Sequence, residues 1–525
     1  MPQPYPKKMR PFLLTSIILA ILVIPVSSKD LFQIYDLTFS EKLILYHVED
    51  LNHDNLKDIL VLLSTESQPS EEKRFSVFLQ TEQGFSGVPN QTFKLDEQVI
   101  LFDLGDVVGD FRKEFVFFAP QGLFYYPLSD SGFVLEPTKL LNADSMFMLG
   151  NNHVSGYWNF VADLNGDHIE EIIIPKITGC NIYFRNPATE QWLLQEIPLA
   201  AESKASGFYE PRFSVGNKAS ADYSTPYIFF EDFNSDGRRD LMAAYTGSLA
   251  IFLQDERGFF SKKKQSVALK PAEIWHGAKI RRTRISDKSI RIYLMKIKDL
   301  NQDGIIDAVY IRVSTKESVV NPKTQVEVHY GKRRAANGQS DDIYFSREPD
   351  QVIEPGGTQL VLDIVDLNHD QKIDLIIPVV KVGLMNIISM LLTRRVEIHA
   401  ETYLMNSDGL YEEKPNIKIK LLVKFTYRGG ATAPVYEVAD FNGDGHLDIM
   451  SSLEEKKLVF FWGNKKNVLD KTIGSKFNVF LPQNGDLVKA IELNGDNKSD
   501  VIINYREDNA VHMNLRKTLR VLLAN

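Results

Sequence analysis

The stretch Asp440–Asp448 reads DFNGDGHLD, and the chain repeats its frame from end to end. It appears as DLNHDNLKD at Asp50–Asp58, DLNGDHIEE at Asp163–Glu171 and DFNSDGRRD at Asp232–Asp240. It returns as DLNQDGIID at Asp299–Asp307, DLNHDQKID at Asp366–Asp374 and ELNGDNKSD at Glu492–Asp500. An eroded copy, DVVGDFRKE, occupies Asp106–Glu114. Successive loops begin 56, 57, 69, 67, 67, 74 and 52 residues apart. That interval has room for about four short strands, the size of one propeller blade.

The flanks of each loop support strands. Extended stretches such as LILYHV precede Asp50, and VILFDL precedes Asp106. Apolar runs follow: DILVLL, EFVFFA, EIIIP, DLMAAY, DAVYI, DLIIPV, DIMSS and DVIIN. Short runs rich in Ile, Val, Leu and Phe predict strands buried on both faces, as blades packed between neighbours require. A third strand is expected at FSVFLQ, LAIFLQ, VEVHY and LVFFW. The eroded copy has the same flanks and counts as a blade that has lost its site. The expectation is an all-β propeller of eight four-stranded antiparallel blades, with seven as the alternative, in one domain over residues 29–525. LFQIYDL at Leu31–Leu37 is either the outer strand of the last blade, closing the ring, or a plain extra strand.

The loop has the chemistry of a calcium site. Calcium takes six to eight oxygen ligands. Position 1 holds Asp50, Asp163, Asp232, Asp299, Asp366, Asp440 and Glu492. Position 3 holds Asn52, Asn165, Asn234, Asn301, Asn368, Asn442 and Asn494. Position 5 holds Asp54, Asp167, Asp236, Asp303, Asp370, Asp444 and Asp496. Position 9 holds Asp58, Glu171, Asp240, Asp307, Asp374, Asp448 and Asp500. Side chains 1, 3 and 5 of a tight loop converge, position 7 can add a carbonyl, and position 9 adds a last carboxylate. An EF-hand closes with an acid at position 12 between helices, so that reading fails. An acidic β-turn is the other explanation, because Asp, Asn and Gly favour turns; seven recurrences favour metal.

The copies are unequal. Position 6 needs a left-handed backbone, which Gly237, Gly304 and Gly445 supply freely. Asn55 and Asn497 come next, and His168 and Gln371 are less suited. Glu492 adds a methylene at position 1. Val108 stands at position 3 of the eroded copy and cannot coordinate, so no metal is expected there.

The in-phase D-x-N-x-D-x-x-x-D loops and the apolar strand after each resemble the FG-GAP/VCBS repeats of integrin α-subunit-like propellers. The resemblance covers nearly all of the chain after residue 28. It implies a propeller with several structural Ca2+ ions and does not supply a ligand. The phenylalanine-glycine and glycine-alanine-proline marks of the integrin repeats are poorly kept, with Gly430–Pro434 (GATAP) the nearest echo.

The N-terminus predicts export. Lys7, Lys8 and Arg10 precede an apolar run over Phe12–Ile24, and Val26 and Ser28 suit cleavage after Ser28. The run is of signal-peptide length, so residues 1–28 are expected to be removed; a retained anchor is the alternative. No Cys follows the run, which argues against a lipoprotein. Beyond this segment no membrane insertion is expected. A formal charge of −9 and a pI of about 5.7 give no reason to expect a nucleic-acid partner. Cys180 is the only cysteine, so no intrachain disulfide is possible; it is expected to be a small buried hydrophobe.

No HExxH, GxSxG, Walker or GxGxxG motif is present, and His53, His168, His369 and His446 sit inside the loops. Trp158, Trp192, Trp275 and Trp462 share no offset from the loops, which argues against a symmetric lectin. The apolar Val382–Thr393 is expected to pack on its blade; a docking or membrane role is the alternative. The Arg281–Arg284 and Lys332–Arg334 clusters are expected to be solvated. Together these features predict an exported, monomeric, non-enzymatic propeller that binds a protein or a surface glycan, as in adhesion. Two other readings stand beside it: a secreted polysaccharide lyase on a calcium-containing eight-bladed propeller, and a structural module of an envelope complex.

Overall fold

The computed structural model describes residues 31–65, 72–143, 146, 156–186, 188–208, 211–212, 218–274, 289–318, 321–334, 342–381, 392, 395–424, 434–482, 484–506 and 515–525. It is an eight-bladed β-propeller of antiparallel blades. The first blade runs Lys42–Glu49, Asp58–Ser64, Lys73–Phe78 and Gln91–Lys94, each strand paired with the next. Six more blades repeat this order. Their second strands are Glu114–Ala119, Glu171–Pro175, Asp240–Tyr245, Asp307–Ser314, Asp374–Val380 and Asp448–Glu454. Every one of these is an apolar run predicted from the sequence. Short parallel additions widen the second and fifth blades: Gly156–Tyr157 beside Leu101–Gly105, and Glu273–Ile274 beside Ile290–Lys298.

The eighth blade closes the ring. Val488–Ile491, Asp500–Asn504 and Thr518–Ala524 come from the C-terminal end, and the fourth strand is Phe32–Thr38 from the N-terminal end. The two chain ends pair antiparallel from Phe32↔Ala524 to Thr38↔Thr518. Arg520 donates to both carboxylate oxygens of Asp36 at 2.7 Å across that pair. Of the two readings of LFQIYDL, the ring-closing one is therefore the structure's.

Apolar burial between blades holds the ring. Each of eight core clusters joins adjacent blades, and the last joins Leu519, Val521 and Leu523 to Ile59, Val61 and Leu63 of the first blade. The second strands are buried on both faces, as Asp58–Ser64 is throughout. Continuous hydrophobic sequence, without alternation, follows from that position.

Glutamines latch three seams. Gln91 on the fourth strand of the first blade accepts from Phe133 N–H and donates to its carbonyl, both at 2.7 Å. Gln195 brackets Phe260 in the same way, and Gln351 brackets Tyr411. A side-chain amide that satisfies both backbone groups of one residue mimics a strand pairing across the seam.

Candidate metal centres

All eight nine-residue loops join the first and second strands of a blade, so the fold gathers them on one rim. They share one backbone. Position 6 is left-handed in every copy, from Asn55 (φ 68°) to Asn497 (φ 63°), including His168 (φ 67°) and Gln371 (φ 71°). Position 4 is left-handed too, as at His53 (φ 63°), Gly166 (φ 80°), His369 (φ 60°) and Gly443 (φ 74°). The residue types signal this demand at position 6 and hide it at position 4, where Gly, His, Ser and Gln alternate.

The side chains explain this backbone. In the seventh loop Asp440 accepts Gly443 N–H at 2.7 Å and Gly445 N–H at 2.8 Å. Asn442 Oδ1 accepts Asp444 N–H at 2.8 Å, and Asp444 Oδ1 accepts His446 N–H at 2.9 Å. These are Asx turns in series, in which the side-chain oxygens take up the backbone N–H groups of the turn. In the first loop Asn52 Nδ2 also donates to Asp54 Oδ2 at 2.9 Å. Glu492 accepts from Asn494 at 3.0 Å and from Gly495, as Asp440 does from Asn442 and Gly443, but among the described residues the bond that Asp440 takes from position 6 has no counterpart on Glu492.

Position 9 has a different role in the same fold. Asp58, Asp240, Asp307, Asp374, Asp448 and Asp500 are each fully buried. One oxygen accepts the N–H of loop position 2, as from Phe441 to Asp448 at 2.9 Å. The other accepts an N–H at or just past the end of the third strand, as from Gly463 to Asp448 at 2.6 Å. The acid thus clamps the loop to the third strand. Glu171 also holds position 2, through Leu164 N–H at 2.8 Å, but its other oxygen takes Asn165 Nδ2 at 3.1 Å.

Burial raises these acids. It pushes Asp58, Asp307, Asp448 and Asp500 up to about 7 and Asp240 and Asp374 to about 6, with backbone N–H donors pulling the other way. Glu114 and Glu171 rise to about 8 for the same reason. Among the described residues no group of three or more Asp, Glu, His or Cys side chains is set to hold an ion. The side chains at positions 1, 3 and 5 accept backbone N–H groups of their own turn, and the oxygen donors they carry are of the type a hard cation takes. At position 9 the six aspartates have both oxygens engaged with backbone.

Neighbouring loops touch. Lys57 N–H donates to Leu493 O at 2.7 Å, Lys113 N–H to Leu51 O at 2.9 Å and Ile373 N–H to Leu300 O at 2.9 Å. Each bond runs from position 8 of one loop to position 2 of the loop before it. The eroded loop is tied further: Lys113 Nζ lies 2.7 Å from Glu170 and 3.5 Å from Glu49. Glu170 also accepts Asp106 N–H at 2.5 Å.

The second blade carries a buried acid that sequence reading did not single out. Asp103 accepts Phe160 N–H at 2.6 Å and Val161 N–H at 2.8 Å, and burial pushes it up to about 7. One Asp inside VILFDL was the available signal, but nothing local shows that it would be buried.

Other readings fall where the structure allows. Cys180 is buried in the core between the third and fourth blades, and burial pushes its thiol up to about 12. Lys332 pairs with Asp350, Arg333 donates to Gly304 O at 3.0 Å, and Arg334 covers the Tyr344 ring. These are half-buried or exposed local contacts. The leader over residues 1–28, Arg281–Arg284, Trp275, most of Val382–Thr393 and most of Gly430–Pro434 lie outside the described residues. Among the described residues no helix is long and apolar enough to cross a membrane. An apolar dent between the second and third blades, lined by Leu101, Phe118, Trp158 and Ile173 among others, has no titratable side chain in its wall.

No protein-family model and no curated protein matches the chain. Among solved structures it is similar to "Structure of Dos1 propeller", at 8% identity and a TM-score of 0.37, covering 94% of each chain. It is also similar to the WD40 domain of SCAP from fission yeast, at 8% identity and a TM-score of 0.31, covering 82% of this chain and 95% of that one.

Proposed function

We propose that this chain is an exported, calcium-stabilised propeller of the FG-GAP/VCBS type that binds a protein or surface glycan through its variable loops. One observation carries the calcium reading. Seven loops on one rim repeat the same oxygen donors at positions 1, 3 and 5 on one left-handed turn. Asp50, Asn52 and Asp54 would hold the ion in the first loop, and the equivalent residues would hold it in the other six. The ion would neutralise carboxylates that otherwise repel one another in a chain of formal charge −9. Binding to the folded state alone stabilises by about 2.7 kcal/mol per site at a hundredfold excess over Kd. The basic and apolar N-terminal segment and the impossibility of an intrachain disulfide suit an exported domain held by its core and by metal.

Scanning calorimetry of the full chain in calcium and in excess chelator tests this. A melting temperature clearly higher in calcium is expected, and identical scans would sink the structural-calcium reading. For the partner, the experiment is capture from a cell-surface extract with and without calcium. Cleavage of acidic polysaccharides by the purified protein would instead favour a lyase.

A further inference from the structure

The loops meet edge to edge, and one of these meetings has a chemistry of its own. Position 4 of one loop faces position 6 or 7 of the next. The His53 ring stacks on Phe111 with centroids 5.1 Å apart. Ser235 donates to Gly304 O at 2.7 Å. A Cβ on Gly443 would lie 2.9 Å from Lys498 Cγ, and one on Gly495 would lie 3.5 Å from Asn55 O. Between the sixth and seventh loops the same two places hold His369 and His446, with ring centroids 5.5 Å apart and planes at 55°.

We infer that His369 and His446 form a two-imidazole site for a divalent transition ion of the zinc class, bridging the sixth and seventh blades. The spacing suits it. A metal–nitrogen bond of about 2.0–2.1 Å places an ion about 3.2 Å from each ring centroid, so a tetrahedral angle separates the centroids by about 5.2 Å. Among the described residues no hydrogen bond or ion pair engages either ring, His369 is exposed and His446 is half-buried, so the ring nitrogens are not taken up by other protein groups. The chemistry separates this site from the oxygen-lined loops, because calcium prefers oxygen while zinc, nickel and copper take imidazole.

The backbone beneath each ring is also held in place. Asp370 N–H, next to His369, donates to Asp366 Oδ1 at 3.2 Å, and His446 N–H donates to Asp444 Oδ1 at 2.9 Å. Each ring therefore projects from a turn fixed by its own loop. The same two bonds, Asp110 N–H to Asp106 and Arg112 N–H to Asp110, persist in the second loop, whose Val108 has no oxygen at position 3. The site is thus independent of the calcium reading. Two protein ligands leave further coordination positions to water, so the site is open.

The test is calorimetric titration of ZnCl2 into the full, tag-free chain, in calcium and again in a calcium-free buffer. A binding event is expected that weakens by at least about tenfold, or about 1.4 kcal/mol, in His369→Ala and in His446→Ala. His53→Ala, at the matching place in the first loop, leaves it unchanged. Melting curves confirm that the variants fold. Copper(II) paramagnetic resonance on the unmutated protein gives a second readout that needs no variant: two coordinated ring nitrogens are expected. No zinc binding in the unmutated protein, equal binding in the double variant, or a copper signal without two nitrogens would each overturn the proposal.

Discussion

In the seventh loop Asn442 Oδ1 holds Asp444 N–H at 2.8 Å; in the second, Val108 occupies that place and has no oxygen to offer. Almost everything else matches. Asp106 accepts Gly109 and Phe111 N–H at 2.5 and 2.8 Å, as Asp440 accepts Gly443 and Gly445 at 2.7 and 2.8 Å. Asp110 accepts Arg112 N–H at 3.0 Å, as Asp444 accepts His446 at 2.9 Å. Phe111 even keeps the left-handed backbone (φ 71°), against the steric preference of a bulky residue. The loop backbone is therefore built by the acids at positions 1, 5 and 9. The position-3 oxygen, which accepts the position-5 N–H at Asn442, is not required for that backbone, and coordination is a task its chemistry suits.

A second contrast lies at position 9. Asp448 reaches both the loop and the third strand, whereas Glu114 holds Val107 N–H at 2.9 Å within its own loop. The shorter acid ties two elements together, and the longer one, in these loops, ties only one.

The largest expected effect is on pH dependence in chelator. Eight buried position-9 acids have folded-state values of about 6 to 8, above their unfolded values. A raised acid binds its proton more tightly when folded. The contribution of these acids to metal-free stability is therefore full below about pH 4, falls as pH rises past the unfolded values, and is gone once pH has passed through the folded values of about 6 to 8. Denaturant melts across that range would show it, and a flat profile would break the account of these acids as buried and neutral.

Next in size is Asp448→Ala, which strands two buried N–H groups and should cost about 4 kcal/mol in chelator. Glu114→Ala should cost less, because no third-strand N–H depends on it. Equal costs in urea melts would erase the contrast at position 9. Exchanging position 3 comes third. Val108→Asn should raise the calcium stoichiometry by one and Asn442→Val should lower it by one, each worth about 2.7 kcal/mol at a hundredfold excess. Equilibrium dialysis counts the ions, and unchanged counts would remove position 3 from the metal account. The smallest effect is Gln195→Ala, which removes the latch on Phe260 and should cost about 1.5 kcal/mol in a thermal melt. The seam between the second and third blades, where no such glutamine latch is found among the described residues, is the internal control.

Much of the molecule was legible in advance because its signals are local. Apolar runs such as EFVFFA and DLIIPV became the second strands with their starts at Glu114 and Asp374. Asp and Asn at fixed spacing declared the turns through Asx geometry. The conformation at position 4 was not legible, because it is enforced by acceptors placed on either side of it rather than by its own residue type. Nor was the division of labour at position 9, since the strand that Asp448 clamps begins nine residues later and meets it only in the folded blade.

By itself, the sequence determined eight repeats, their strands, the shared loop and the one copy with Val108 at position 3. Those follow from periodicity and short-range turn chemistry, which act within about ten residues. The tertiary structure decided which strand closes the ring, pairing Phe32 with Ala524. It decided that the position-9 acids are buried clamps, and that His369 meets His446. These depend on burial and on contacts between blades, which bring together residues that no local pattern relates.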